Sequence, residues 1–263
     1  MKYGLLTLIF ASILVVIGGV VNYNTLRLSK YSIEIPARSS TATNLKIAFM
    51  ADFHIDTNTP ESLIKKVVAK TNRVSPDIVL FVGDIVEGRN NDELRSRTDI
   101  LRQISATYGV FGVLGNHEYY RGQEKGEFFA NAGIKLLRDT VIVVAEKFTL
   151  VGRDDTHFRG RKTLDNLLQN AVDTLPLIML DHKPSELFEV AKTKTDIHVA
   201  GHTHNGQLFP INLILRRMFA LSYGHKRIEN TDFFVTSGIR LWRYPVRTVG
   251  KTEIMVVDVK FLK

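Results

Sequence analysis

Cysteine is absent from the 263 residues. That excludes disulfides and any thiolate-bound metal, and it leaves the redox compartment open. Internal repeats and low-complexity tracts are missing too. Neither a basic helix with heptads nor a paired aromatic strand pattern occurs, so the net charge of +8 comes without a nucleic-acid module. Lys2 is the only charged side chain before Arg27, and the remainder therefore carries +7. A basic surface of that kind attracts anionic lipid head groups and phosphate esters.

Charge is also absent from residues 4–21, an apolar run interrupted only by Thr7 and Ser12. At about 18 residues it is near the lower limit for a spanning helix and too long for a typical signal-peptide core. A buried core helix would show a polar face, and these two hydroxyls define none. Residues 1–22 are therefore read as an uncleaved single-pass membrane anchor. A cleaved signal peptide is the alternative, with small residues at Gly18 and Gly19 but no Ala-x-Ala site and no paired arginine. Lys2 and the amino terminus balance Arg27 and Lys30, so the positive-inside rule leaves the orientation open. Residues 23–44 read as a stalk carrying one alternating strand over residues 31–35, with a polar run at 39–43. Residues 45–263 suit one domain with a sizeable core.

Within that domain, short apolar runs at residues 45–51, 77–82, 110–114, 148–152, 177–180 and 196–200 have the character of strands buried on both faces. Helical spacing fills residues 61–72, 92–107, 124–131, 163–170 and 184–192. A β-rich stretch follows over 233–259. Alternation of this kind predicts an α/β sandwich of two mixed β-sheets flanked by helices.

Five of the buried strands are followed directly by polar clusters. They are Asp52 and His54; Asp84 after Gly83; Asn116, His117 and Glu118 after Gly115; His182; and His202 and His204 after Gly201. A lone Asp after a strand is usually a cap, and a lone histidine is usually a satisfied surface or core group. Joint occurrence changes that reading. Ligands of open α/β sheets bind outside the carboxyl ends of the strands, where five such loops would converge. Carboxylate, imidazole and amide oxygen suit Mn, Fe or Zn. His157, His198 and His225 lack this context and read as structural or peripheral.

The order Asp-x-His, Gly-Asp, Gly-Asn-His-Glu, His, Gly-His-x-His resembles the signature of the calcineurin-like metallophosphoesterases. Gly206, Gln207, Ser237, Gly238, Trp242, Pro245 and Arg247 narrow the resemblance to the YkuE-type branch, as does Gly152 with Asp154 and Asp155. Phe53 and Glu87 depart from that branch's more usual residues without threatening the metal site. The resemblance implies a four-layer metallophosphoesterase fold and two divalent metal ions. One would take Asp52, His54 and His204, the other Asn116, His182 and His202, with Asp84 shared. It also implies that His117 is a catalytic group beside the scissile oxygen rather than a ligand. Glu118 could orient the His117 imidazole or serve as an exposed cap.

The expected activity is that of a membrane-anchored phosphoesterase cleaving phosphodiester or pyrophosphate bonds, including lipid-linked ones such as a UDP-diacylglucosamine-type precursor. An extracytoplasmic catalytic domain would suit such a substrate. Phosphomonoester or nucleotide hydrolysis at the same site is the alternative, and a non-enzymatic scaffold would have lost ligands. Arg153, Arg159, Arg161 and Lys162 could grip a second phosphate or a lipid surface, against the plainer reading of a solvated loop.

Overall fold

Inward and outward side chains alternate along β2 (Leu45–Met50): Ile47 and Phe49 pack into one apolar cluster, Ala48 and Met50 into another. This period of two, with both faces apolar, is what a strand covered on both sides requires. The computed structural model describes residues 2–38, 43–87, 92–120, 125–241 and 244–262. Among them β3 (Ile78–Val82) and β4 (Val110–Val113) run parallel to β2, with β5 (Lys135–Leu136) beyond β4. The other edge of this sheet holds β12 (Thr252–Leu262), antiparallel to β2, and β1 (Leu26–Pro36).

A second six-stranded sheet has the order β10-β11-β9-β8-β7-β6. Its parallel centre comprises β7 (Phe148–Gly152), β8 (Leu177–Leu180), β9 (Ile197–Ala200) and β11 (Thr231–Val235). β6 (Thr140–Val144) and β10 (Gly224–Ile228) flank it antiparallel. Ile47, Phe49 and Leu80 of the first sheet meet Leu150, Ile178 and Phe234 of the second in the central core. Each such buried side chain contributes about 1.5–3 kcal/mol through burial.

Helices cover the outer faces. α2 (Glu61–Arg73), α3 (Arg95–Leu101) and α5 (Gly126–Asn131) pack Ile64, Val67, Leu101 and Phe128 on the first sheet. α6 (Leu164–Leu168) and α7 (Leu187–Ala191) pack Leu167, Leu187 and Val190 on the second. The four layers are those the resemblance implies.

Three elements differ from the sequence expectation. The helix expected over 92–107 stops at Leu101, because Asn72 of α2 takes the carbonyl of Gln103 and the N–H of Ser105 into side-chain hydrogen bonds. The β-rich stretch 233–259 divides into β11 and β12, separated by a long loop containing left-handed Gly238 and Gly250. The strand expected inside a stalk is longer and is an edge strand of the first sheet, paired with β12 along its length. An alternating pattern looks the same whether its partner is near or at the far end of the chain. Residues 39–42 of the polar run lie outside the described residues.

α1 (Lys2–Asn24) is long and apolar enough to cross a membrane, and almost none of its surface is covered by the domain. Only its last turns dock. The Gly19 carbonyl accepts from the Arg247 N–H, and the Asn22 amide donates to the carbonyls of Arg247 and Gly250. Thr252 donates to the carbonyl of Tyr23. A Cβ at Gly19 would lie 2.6 Å from Val246, so glycine is what permits this contact.

Candidate metal centre

The loops after β2, β3, β4, β8 and β9 meet at the carboxyl edge of both sheets and bring Asp52, His54, Asp84, His182, His202 and His204 together with His117, with Asn116 preceding His117 on the third loop. Backbone hydrogen bonds link the first two loops: the Asp52 N–H donates to Gly83 at 3.0 Å and the His54 N–H to Asp84 at 3.0 Å. Asp52, His54, Asp84, His202 and His204 all have positive φ. Left-handed backbone is uncommon for such residues and persists where the surroundings over-determine it. Here it turns each side chain inward. The glycines supply room: a Cβ at Gly115 would lie 2.3 Å from Asp84 Oδ1, and one at Gly201 would lie 2.7 Å from Asp52 Oδ2.

Three groups of donor atoms result among the described residues, each with its atoms within 4.8 Å of one another: Asp52, His54 and His204; Asp84, His182 and His202; and His54, Glu87 and His117. His54 Nε2 faces His204 Nε2 at 3.4 Å, and His202 Nδ1 faces His182 Nε2 at 3.3 Å. His182 Nε2 lies 3.2 Å from Asp84 Oδ2, and His204 Nε2 lies 3.6 Å from Asp52 Oδ1. Val82's carbonyl, which can only accept, sits 2.9 Å from His182 Nδ1; the proton is therefore on Nδ1 and Nε2 turns to the centre. Asn116 donates through Nδ2 to the Tyr120 hydroxyl at 2.8 Å, while its Oδ1 is buried without a hydrogen-bond partner.

These features fit divalent cations. Buried acceptors that face each other across 3–4 Å are costly without a positive charge among them. Burial pushes the Asp52 carboxyl up to about 6, against the pull of His182. Burial also lowers His202 to about 3, helped by His182, so its imidazole is neutral and ready to ligate. His182 resists the same burial because Asp84 beside it holds its proton up to about 10. A cation would compete with that proton.

His117 belongs to the third group, with Glu87 and His54, and to neither of the other two. Its Nδ1 contacts Glu87 Oε1 at 2.5 Å, and its Nε2 lies 3.9 Å from Asp84 Oδ2. Burial disfavours the imidazolium, but Glu87 and Asp84 outweigh it and raise the His117 pKa. The same Glu87 oxygen lies 2.6 Å from His54 Nδ1, so one carboxylate orients two imidazoles. Glu118 caps α4 (Asn116–Tyr119), one of the two roles expected of it, but from a buried position rather than an exposed one. It is buried and accepts from the N–H groups of Asp84, Ile85, Val86 and Gly115, tying the second loop to the third. The residue that orients His117 is three positions beyond Asp84, in a site that reads from sequence as a harmless departure.

Residues 45–206 match the calcineurin-like phosphoesterase family. The chain belongs to that family. An uncharacterized metallophosphoesterase of Aquifex aeolicus is 31% identical over 243 residues, spanning 89% of this chain and 92% of its own length. Metallophosphoesterase YkuE of Bacillus subtilis is 24% identical across 82% of this chain and 79% of its own. A transmembrane protein with metallophosphoesterase domain from Danio rerio is 27% identical across 87% of this chain, which spans 56% of that protein.

One further sequence expectation changes at this calcineurin-like site. Arg153 and Arg161 are not free to grip phosphate: both donate to Asp181 Oδ2, at 2.9 and 2.7 Å, and approach Glu186. Arg153 itself is buried. Arg159 and Lys162 are exposed. Among the tail residues, buried Arg247 donates to the carbonyls of Ser237 and Arg240, fixing the loop whose Gly238 abuts Asp52. Trp242 lies outside the described residues. His225 pairs with Asp232, His157 with Asp155 at the rim near Tyr120, and His198 is buried in β9.

Proposed function

We propose that this chain is a binuclear-metal phosphoesterase held at a membrane by α1, with Asp52, His54, Asp84, Asn116, His182, His202 and His204 as metal ligands and His117 as the catalytic group. The observation that carries this reading is that two donor groups each combine a carboxylate of the first sheet's loops with at least one imidazole of the second's, with the orphaned Asn116 amide oxygen on an adjoining loop. Divalent ions bound there would polarise a phosphoryl oxygen and make water acidic enough to serve as nucleophile near neutral pH. His117 holds a proton with the help of Glu87 and presents Nε2 to the centre, where it donates to a developing oxyanion or to the leaving oxygen. Glu87 keeps both rings in position, and Glu118 keeps the loops in register.

The substrate we favour is a phosphodiester or pyrophosphate at a membrane, lipid-linked or otherwise of the cell envelope. Support comes from the short path between α1 and the metal edge: Asn22 bonds Gly250, and a Cβ at Gly250 would lie 3.2 Å from Asn205, which follows His204. Activity should vanish in excess chelator and return with Mn²⁺, Fe²⁺ or Zn²⁺. In detergent or vesicles, kcat/KM should rank a lipid-linked pyrophosphate and bis-p-nitrophenyl phosphate above p-nitrophenyl phosphate. Full activity in chelator sinks the metal mechanism, and a best rate on the monoester replaces the diester reading with a phosphomonoesterase. Carbonate-resistant membrane retention of the chain, with Gly4 to Val21 still present by mass spectrometry, separates an anchor from a cleaved signal.

A further inference from the structure

Helix α8 (Ile211–Met218) leaves most of its apolar side chains exposed, with only Asn212 buried and Leu215 half-buried. A surface helix of a water-soluble domain buries its apolar stripe and exposes its polar face. In α8 the buried side chain is Asn212, whereas Ile211, Ile214 and Met218, at spacings that place them on one face, are 45%, 57% and 68% exposed. Phe209, just before the helix, is 67% exposed, Leu213 47%, and Tyr244 on the neighbouring loop 65%. Arg216 and Arg217 sit in the last turn. Apolar side chains bordered by arginines and an aromatic hydroxyl are the composition of a helix lying in a bilayer interface.

Its neighbours indicate which surface it meets. Residues 244–249 join α8's approach to the docked end of α1. On one side the Arg247 N–H donates to Gly19, and Val246 packs on the same glycine. On the other side the Gln207 amide donates to the carbonyls of Tyr244 and Val246, the N–H groups of Thr248 and Val249 donate to Gln207, and the Phe209 N–H donates to Thr248 Oγ1 at 2.8 Å. The exposed face is thus continuous with the point where the apolar helix leaves the domain.

We propose that Phe209 and the Ile211, Ile214 and Met218 face of α8 seat in the interfacial layer of the bilayer that α1 crosses, with Arg216 and Arg217 on anionic head groups. The proposal rests on α1 spanning a membrane. It adds a second point of attachment, and two points fix the domain's tilt where one would leave it free. His204 lies five residues before Phe209, so the metal edge is held at head-group level.

The absence of cysteine makes the test direct. Single-cysteine variants Leu8→Cys, Ile214→Cys, Met218→Cys and, on the far edge strand β6, Val143→Cys carry a nitroxide in the full-length chain, reconstituted in phosphatidylcholine–phosphatidylglycerol vesicles. Power saturation compares collision with oxygen and with a water-soluble nickel chelate. All four positions are exposed, and retained hydrolase activity confirms folding. The expected result is a deep lipid signature at Leu8, a shallow one, roughly 5–10 Å below the head groups, at Ile214 and Met218, and an aqueous one at Val143. Aqueous labels on α8 with a lipid-exposed Leu8 overturn the proposal and leave the span intact. Labels on α8 shielded from both reagents overturn it in favour of a protein partner. An aqueous Leu8 removes both readings.

Discussion

The carboxyl edge of the sheets and the outer face of α8 depart from the usual distribution of side chains in opposite directions. At the sheet edge, carboxylates, imidazoles and an amide oxygen are taken out of water; on α8, isoleucines and a methionine are left in it. Either arrangement is unfavourable in an isolated soluble domain. The comparison teaches that each region is written for a partner, a cation in one case and a lipid surface in the other. Their energetics differ accordingly. Polar groups at the edge are coupled through short contacts, so losing one unbalances the rest. The apolar side chains of α8 touch little of the domain and are separately dispensable to its folding.

Asp84→Asn should sharpen that contrast most. It removes the charge on which His182, His117 and the Asp52 group all depend, and hydrolysis should fall to background with loss of bound metal, read by elemental analysis alongside activity. His117→Ala comes next: kcat should drop by roughly 10²–10⁴ while the metal content stays at two per chain. Loss of one metal in that variant would make His117 a ligand and displace Asn116 from that role. Glu87→Gln should cost about 10–100-fold in activity or metal affinity, because both rings it orients remain but neither is held by a charge.

His198 is a buried polar group with no cation waiting for it. Burial first, then Arg153 and Arg161, lower it from 6.5 to about 3. The folded chain therefore binds fewer protons here than the unfolded chain. The stability involved is complete above pH 6.5 and is lost as pH falls toward 3, at about 1.4 kcal/mol per unit. Urea midpoints between pH 7 and 4.5 should fall less steeply in His198→Leu than in the wild type. The smallest effect is expected on α8. Ile214→Ser with Met218→Ser should change stability in detergent by no more than about 0.5 kcal/mol per site. A loss of several kcal/mol would show that the face is covered by the domain itself and would break the comparison.

Much of the edge was legible from the chain because strand, glycine and ligand are adjacent in sequence, and five repetitions of one local pattern outweigh the plain reading of each. Glu87 was harder. Its role comes from pointing across the loop at His117 and His54, and nothing near Glu87 in sequence distinguishes it from Glu118, which instead satisfies four backbone N–H groups. Arg153 and Arg161 looked like a cationic patch because Asp181 and Glu186, which neutralise them, follow a different strand. α8 is short and follows Pro210, so its apolar residues carry too little periodicity to predict a helix, and exposure cannot be read from identity. The stalk failed for a similar reason: β1's partner is the last strand of the chain.

That pairing also sets an order of events during synthesis. β1 is an edge strand whose neighbour in the sheet is β12, so its backbone groups have no sheet partner until β12 has emerged. The rest of the first sheet can assemble around β2, β3 and β4 meanwhile, while β1 waits beside the helix that precedes it. Unpaired edges recruit other chains. Until β12 is in place, β1 and the facing side of β2 are both open to other chains, and its insertion between them closes both.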